Sequence, residues 1–398
     1  MSVLASSTPA SSRHDVATPN AASSTEFAFL LECCSLRYAE IVPCPEGNLN
    51  WTRAVELAEH HGVMPLLYRA LSLHPGSVPA EVFEQLRTRY ENTARKNLRF
   101  TAELFRILDC LQAHSIPAIP LKGPTLAETL YGDVALRDFS DLDVLIHPRD
   151  VERAKAALRT LDYSLPAPLS AAEERVYLAA GYEYTFDGPA GRNLLEVQWN
   201  TLPRFYSVAF DVDELFSRTA SVTLCGRTVR ALAPEDLLLT LTVHAAKHAW
   251  VRLHWLHDIA GVTQTQHLDW TVVAQRAHAL GITRMVGVSL LLAHRLLQAD
   301  LPAQGQALWN ADPEILPLAQ LVERELPSAE EYNVESTRYF RLMMRLRERP
   351  IDRARFLWRL VWTPGPGEWA IIRLPEPLFP FYRLIRLFRI AGKVLSGR

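Results

Sequence analysis

Apolar residues recur at helical spacing from Glu26 to about Ser115, as in Trp51, Val55, Leu57 and Ala58, and again through Phe83, Leu86, Tyr90, Leu98, Phe105, Leu108 and Leu111. The spacing predicts an all-helical region. The texture then changes. Ile116 to Leu121 is a short apolar run broken by Pro117 and Pro120, followed by Lys122-Gly123-Pro124 and a helix-like stretch to Tyr131. Proline suits a first helical turn, so Gly123 is expected at a strand-to-helix turn. Asp141 to Ile146 alternates and then becomes apolar, which predicts a strand ended by His147-Pro148. Arg149 to Leu161 has the spacing of an amphipathic helix, with Asp150 expected as its cap. Tyr182 to Phe186 and Leu194 to Trp199 read as further strands separated by the turn Asp187-Gly188-Pro189. From Pro234 helical spacing returns through Leu237, Leu241, Val243 and Leu256.

The expected fold class is α+β, with a disordered tail over 1–25, rich in Ser, Ala and Thr, and a helical region over 26–115. A mixed α/β core over 116–232, a second helical region over 233–350 and a basic amphipathic segment over 351–398 complete it. That last segment carries nine Lys and Arg against three Asp and Glu. The expectation is that its apolar side packs on the core with the arginines in water. The alternative is a peripheral surface for anionic lipid or a nucleic-acid backbone.

Composition narrows the picture further. The chain has 398 residues, 48% hydrophobic and 22% charged, with 42 Lys plus Arg against 44 Asp plus Glu. These are globular proportions, and at about 150 residues per domain the length allows two or three folding units. A net charge of −2 argues against a nucleic-acid partner bound over the whole surface, which needs a strong basic excess. The five cysteines are scattered without C-x-x-C spacing, which suits neither a disulfide framework nor a zinc site and makes a reducing cytoplasm the expected compartment. No signal-peptide core is evident near the start, and no apolar run of about 18 residues occurs.

The candidate chemistry centres on Asp141-x-Asp143. Residues two apart on a strand share a face, so both carboxylates project together. Like charges at that range repel unless a cation lies between them, and paired carboxylate oxygens suit Mg²⁺. A bare D-x-D is commonly just two exposed aspartates, but three neighbours change its meaning. Lys122 and Gly123 stand at a turn where helix amides offer an anion site. Glu196 shares a strand face with Gln198 and Asn200, while Leu195, Val197 and Trp199 share the other. Carboxylates on adjacent strands facing a glycine turn fit metal-assisted phosphoryl or nucleotidyl transfer. A second polar cluster, His244-x-x-Lys247-His248, falls on one helix face and continues to His257-Asp258. Metal ligation, phosphate binding and ordinary half-buried helix histidines are all compatible with it.

The motifs Leu121-Lys122-Gly123, Leu130-Tyr131-Gly132, Arg137, Ser140 to Leu145, Leu195 to Trp199, Leu232 to Leu238 and His244 to Asp258 resemble the uncharacterised nucleotidyltransferases of the DNA polymerase beta-like superfamily. The likeness runs from Trp51 to about Leu297. It implies a nucleotidyltransferase core over 116–232 flanked by helical regions, and transfer of a nucleoside monophosphate from a triphosphate with release of pyrophosphate. Asp141, Asp143 and Glu196 would hold Mg²⁺ or Mn²⁺, with Glu196 near the acceptor. Lys122, Gly123 and Arg137 would bind the nucleotide, ATP being the first candidate donor. His244, Lys247, His248 and Asp258 would line the cleft. The acceptor would be a small molecule, sugar, peptide or protein. Pro124 and Gln198 depart from the pattern, which has Gly or Ser and often His at those places. Two other readings stay open: a non-catalytic nucleotide-binding or regulatory protein of the same fold, and a His-Asp metal phosphohydrolase built on His257-Asp258.

Overall fold

Among the described residues, four α-helices precede the first strand: α1 (Thr25–Cys34), α2 (Trp51–His60), α3 (Met64–Ser72) and α4 (Ala80–Ala113). The computed structural model describes residues 25–37, 49–166, 169–189, 194–329, 336–363, 366–369 and 371–395. The tail expected over 1–25 lies outside them except for Thr25, which opens α1. Asn50 starts α2 by accepting a hydrogen bond from the Arg53 amide at 3.1 Å, which satisfies one of the orphan donors of a helix start.

At 34 residues, α4 extends roughly 50 Å at 1.5 Å per residue. It joins two cores. Leu86 near its start packs in a cluster with α1, α2 and α3. Phe100, Leu104, Ile107 and Leu111 further along pack beneath the sheet.

That sheet contains β1 (Ala118–Pro120), β2 (Asp141–Ile146), β3 (Glu183–Asp187) and β4 (Leu194–Gln198), in the order β1-β2-β4-β3. The central pair β2 and β4 is parallel, and each outer strand is antiparallel to its neighbour. Period-two alternation gives the sheet two unlike faces. Leu142, Val144, Ile146, Tyr184, Phe186, Leu195 and Val197 enter the buried cluster with α4 and α6 (Val151–Arg159). Asp141, Asp143, Glu183, Glu196 and Gln198 belong to the opposite face, by the same alternation and the strand register.

Helix α5 (Pro124–Tyr131) follows β1 through Gly123, whose φ of +58° and ψ of −130° place it in a region that side chains avoid. Asp150 stands at the start of α6 but makes no capping hydrogen bond. Its carboxylate accepts from Arg153 instead, which corrects the cap expected there. Three elements were not expected: α7 (Ala171–Ala180), started by a capping box between Ser170 and Glu173, α8 (Val212–Ser217), and a hairpin of β5 (Ala220–Leu224) and β6 (Arg227–Ala231). The hairpin turns at Cys225 and Gly226, both with positive φ, and anchors Leu224 and Val229 in the core under the sheet.

The remaining helices are α9 (Pro234–Lys247), α10 (Leu253–Thr265), α11 (Trp270–Leu280), α12 (Thr283–Leu297), α13 (Ala303–Asn310), α14 (Ile315–Glu325), α15 (Thr337–Arg345), α16 (Pro350–Trp362), α17 (Pro366–Trp369) and α18 (Tyr382–Leu395). Buried residues of α9 to α12 and α14 share one cluster with those of α1 to α3. The two helical stretches at either end of the sequence therefore fold together, beside the sheet. No helix among the described residues is long and apolar enough to cross a membrane.

A single buried side chain ties α4 to the loop before β2. Asn97, with no exposed surface, donates to the backbone oxygens of Val134 at 2.6 Å and Arg137 at 2.8 Å. Asn97→Leu leaves two buried carbonyls without these donors, so urea unfolding should report a loss of about 1–3 kcal/mol. An unchanged midpoint would show that the loop finds other partners.

Candidate active site

Asp143 and Glu196 are direct neighbours across the parallel pair, and Asp141 stands two residues before Asp143. At the strand spacing of about 4.8 Å, two unit charges repel by about 3 kcal/mol at an effective dielectric of about 20. Asp143 is 3% exposed, so water does little to screen it. Two donors answer it directly: Lys122 Nζ at 3.1 Å and Gln198 Nε2 at 2.9 Å, both on Oδ1.

The local backbone explains how Lys122 arrives there. The Leu121 amide donates to the backbone carbonyl oxygen of Asp143 at 3.0 Å, extending the β1–β2 ladder by one step. Lys122 is the next residue, and the Gly123 turn then sends the chain into α5. Burial disfavours the Lys122 charge, but Asp143, Asp141 and Glu196 outweigh it and raise its pKa above the usual lysine value. Burial and the Asp143 charge raise Asp141 despite Lys122 and Arg137. Glu196 is pushed up to about 9 by burial, then by Asp143 and Glu183.

Glu183 is the acidic residue that sequence reasoning missed. It is 3% exposed and pairs in register with Gln198 on β4, on the carboxylate face. A charged residue between the apolar Tyr182 and Tyr184 was the available signal. Lys247, at the end of α9, faces the same group. Burial lowers its pKa, while Glu183, Glu196 and Asp143 pull the other way. Its Nζ lies 3.4 Å from the Tyr182 hydroxyl, and 5.2 Å from the centre of that ring. His244 and His248 stand beside Lys247, their rings 4.9 Å apart and both against Trp255. Burial, with Lys122 and Lys247 nearby, keeps both neutral, His248 down to about 2. The structure thus brings Lys122, Asp141, Asp143, Glu196, His244, Lys247 and His248 to one region.

Arg137 and Asp258 are placed differently. Arg137 Nε and Nη2 meet the Asp258 carboxylate at 2.8–3.1 Å, and the Tyr131 hydroxyl donates to the same carboxylate at 2.7 Å. Arg137 is 4% exposed and Asp258 1%. Burial alone raises a carboxyl, but Arg137 holds Asp258 below the usual range. This pair ties the loop before β2 to α10. The arginine positions the loop that leads into Asp141. His257 stacks on Tyr131 with ring centres 4.9 Å apart, and neither of its ring nitrogens has a hydrogen-bond partner. With Asp258 committed to Arg137 and Tyr131, this corner has the character of a packed joint.

Among the described residues no three His, Cys, Asp or Glu side chains converge closely enough to hold a metal as they stand. The donor chemistry at Asp141, Asp143 and Glu196 nevertheless fits a hard divalent cation. All the donors are carboxylate oxygens on adjacent positions of one sheet, and burial and mutual repulsion raise Glu196 and Asp141.

An α+β fold that gathers carboxylates and a lysine on one sheet face beside a glycine turn is the class of protein these features define. The chain belongs to the uncharacterised nucleotidyltransferase family, whose profile matches residues 47–298, from just before α2 to the end of α12. No curated protein and no solved structure matches it.

The joint at Tyr131 makes the fold sensitive to acid. Burial, then the Arg69 charge, lowers His257 to about 4, below the unfolded value of about 6.5. The unfolded chain therefore takes the proton first, and stability is whole above pH 6.5 and falls as pH drops toward 4. This group contributes on the order of 3 kcal/mol to that fall. His257→Phe keeps the stack and removes the titration. Its melting temperature should fall less than wild type between pH 7 and 4.5, and parallel curves would exclude His257 as a source.

Proposed function

We propose that this protein is a metal-dependent nucleotidyltransferase with a DNA polymerase beta-like core. It moves a nucleoside monophosphate from a nucleoside triphosphate, ATP the first candidate, to a small-molecule, sugar, peptide or protein acceptor. The observation that carries the reading is the pairing of Asp143 with Glu196 across parallel strands, with Asp141 on the same face and Lys122 on Asp143.

In this reading Asp141, Asp143 and Glu196 hold Mg²⁺ or Mn²⁺, which supplies positive charge to the triphosphate and to the leaving pyrophosphate. Lys122 can pass from Asp143 to a phosphate oxygen, since an ammonium with three donors serves either acceptor. Gly123 has no side chain to keep the phosphate chain from the first turn of α5, where the amides and the helix dipole favour an anion. Gln198 holds Asp143 in place through a hydrogen bond that does not depend on charge.

The acceptor oxygen or nitrogen attacks the α-phosphorus, forming one bond to phosphorus as the bond to pyrophosphate breaks. Glu196 takes the acceptor's proton. Without a cation, burial and then Asp143 and Glu183 push its pKa up to about 9; positive charge brought into the site lowers that pKa and leaves the carboxylate ionised to act as the base. His244, Lys247 and His248 border the same space and suit contact with the acceptor or the outer phosphates.

Incubation with α-³²P-labelled ATP, Mg²⁺ and a cell extract as the source of acceptors should transfer label with the wild type. The other three ribonucleotides are run in parallel. Asp143→Asn should abolish transfer while circular dichroism and melting stay near wild type, because the substitution keeps shape and removes repulsion. Lys122→Ala should weaken triphosphate binding by about tenfold or more, as expected for loss of a charge-assisted contact. Full transfer by Asp143→Asn would overturn the assignment.

A further inference from the structure

Eleven of the fifteen large apolar side chains that stand exposed among the described residues fall between Ile351 and Phe388. The segment was expected to pack its Trp, Phe and Leu inward with the arginines in water; Phe356 and Trp369 do so and Arg355, Arg373 and Arg383 are exposed, but most of its large apolar side chains are exposed as well. Trp358 is 64% exposed and Phe388 78%, while Arg386 is 8% exposed and pairs with the fully buried Glu368. Phe356, Trp369 and Tyr382 fix the segment to the body from beneath. Its outer side is left bare.

Helices α16 and α18 share this bare side. The rings of Trp358 and Trp362 lie 5.1 Å apart on α16. The Arg383 guanidinium of α18 sits 5.5 Å from the centre of the Trp362 ring, and Leu384 and Phe388 continue outward along α18. Charge says what kind of surface fits it. Residues 351–398 carry nine Lys and Arg against three acids, and Asp352 and Glu368 are buried in ion pairs with arginines. The third, Glu376, is paired with Arg175. Arg355, Arg373 and Arg383 are exposed, Arg355 3.6 Å from the buried Asp352 carboxylate. The same face of a second copy would set positive charge against positive charge. The segment also lies beyond the family match, which ends at residue 298, so the nucleotidyltransferase reading leaves it unused.

We infer that the exposed sides of α16 and α18, with Arg373 between them in the sequence, form a docking surface for an anionic lipid bilayer. Trp358, Trp362 and Phe388 would enter the headgroup region, and Arg355, Arg373 and Arg383 would meet lipid phosphates. Arginine and tryptophan suit that boundary, where an apolar body and a polar edge are satisfied together. Binding then combines buried apolar area with attraction to negative headgroups, so it requires acidic lipid and weakens with salt.

The full-length protein is floated with vesicles of phosphatidylcholine alone and with about one-third phosphatidylglycerol. It should rise with the anionic vesicles only, with a blue shift in tryptophan fluorescence, and less at high salt. Trp358→Ala/Phe388→Ala and Arg373→Glu/Arg383→Glu should each reduce partitioning by about tenfold. Because these side chains are exposed, both variants should melt like the wild type. No flotation, equal binding to neutral vesicles, or wild-type partitioning by both variants would overturn the proposal. So would light scattering that shows a dimer dissolved by the same substitutions, or an oligonucleotide complex sensitive to them without vesicle binding.

Discussion

Asp143 and Glu196 face one another across a parallel strand pair, and the polar part of this structure answers the repulsion between them. Asp141 and Glu183 add to the negative charge on the same face. Lys122 and Gln198 both donate to Asp143, and Lys247 lies opposite Glu183 and Glu196. Burial, and then the charges of Asp143 and Glu183 that these partners only partly offset, still push the Glu196 carboxyl up. A cation or a polyphosphate with its counter-ions would settle the charge more fully than the side chains do.

The surrounding fold keeps that face rigid. Below it, the apolar face of the sheet is packed on α4 and α6. Beside it, Asn97 fixes the carbonyls of the loop before β2, and the Arg137–Asp258 pair fixes the end of that loop to α10. Removing one partner of a buried, hydrogen-bonded ion pair commonly costs about 3–5 kcal/mol. The chain's two helical ends share one core, so the joint at Arg137 connects that body to the strand that carries Asp141 and Asp143.

Much of this was legible in the sequence because strand periodicity is strict. Two aspartates at spacing two must share a face, and a glutamate in Leu194 to Trp199 must share one with Gln198. Gly123 was legible because a glycine before a proline after an apolar run marks a turn. Arg137 was harder: the family resemblance implies a nucleotide-binding role for it, and only the fold brings Asp258, 121 positions later, onto it. Glu183 escaped because register, which the sequence does not state, decides that it joins the carboxylates. The β5–β6 hairpin escaped because its strands are short and half exposed, so their alternation is weak. At the C-terminus the amphipathic pattern was visible, but a pattern alone does not say which side faces the body.

The central claim is that the clustered carboxylates and Lys122 form one binding site for a nucleoside triphosphate and its metal. Calorimetric titration of the four ribonucleoside triphosphates, with and without Mg²⁺, into the wild type and Asp141→Ala/Asp143→Ala tests it most directly. The account predicts binding that needs both the metal and the two aspartates. Triphosphate binding of equal strength in the double variant, or none by the wild type with Mg²⁺ present, would contradict it.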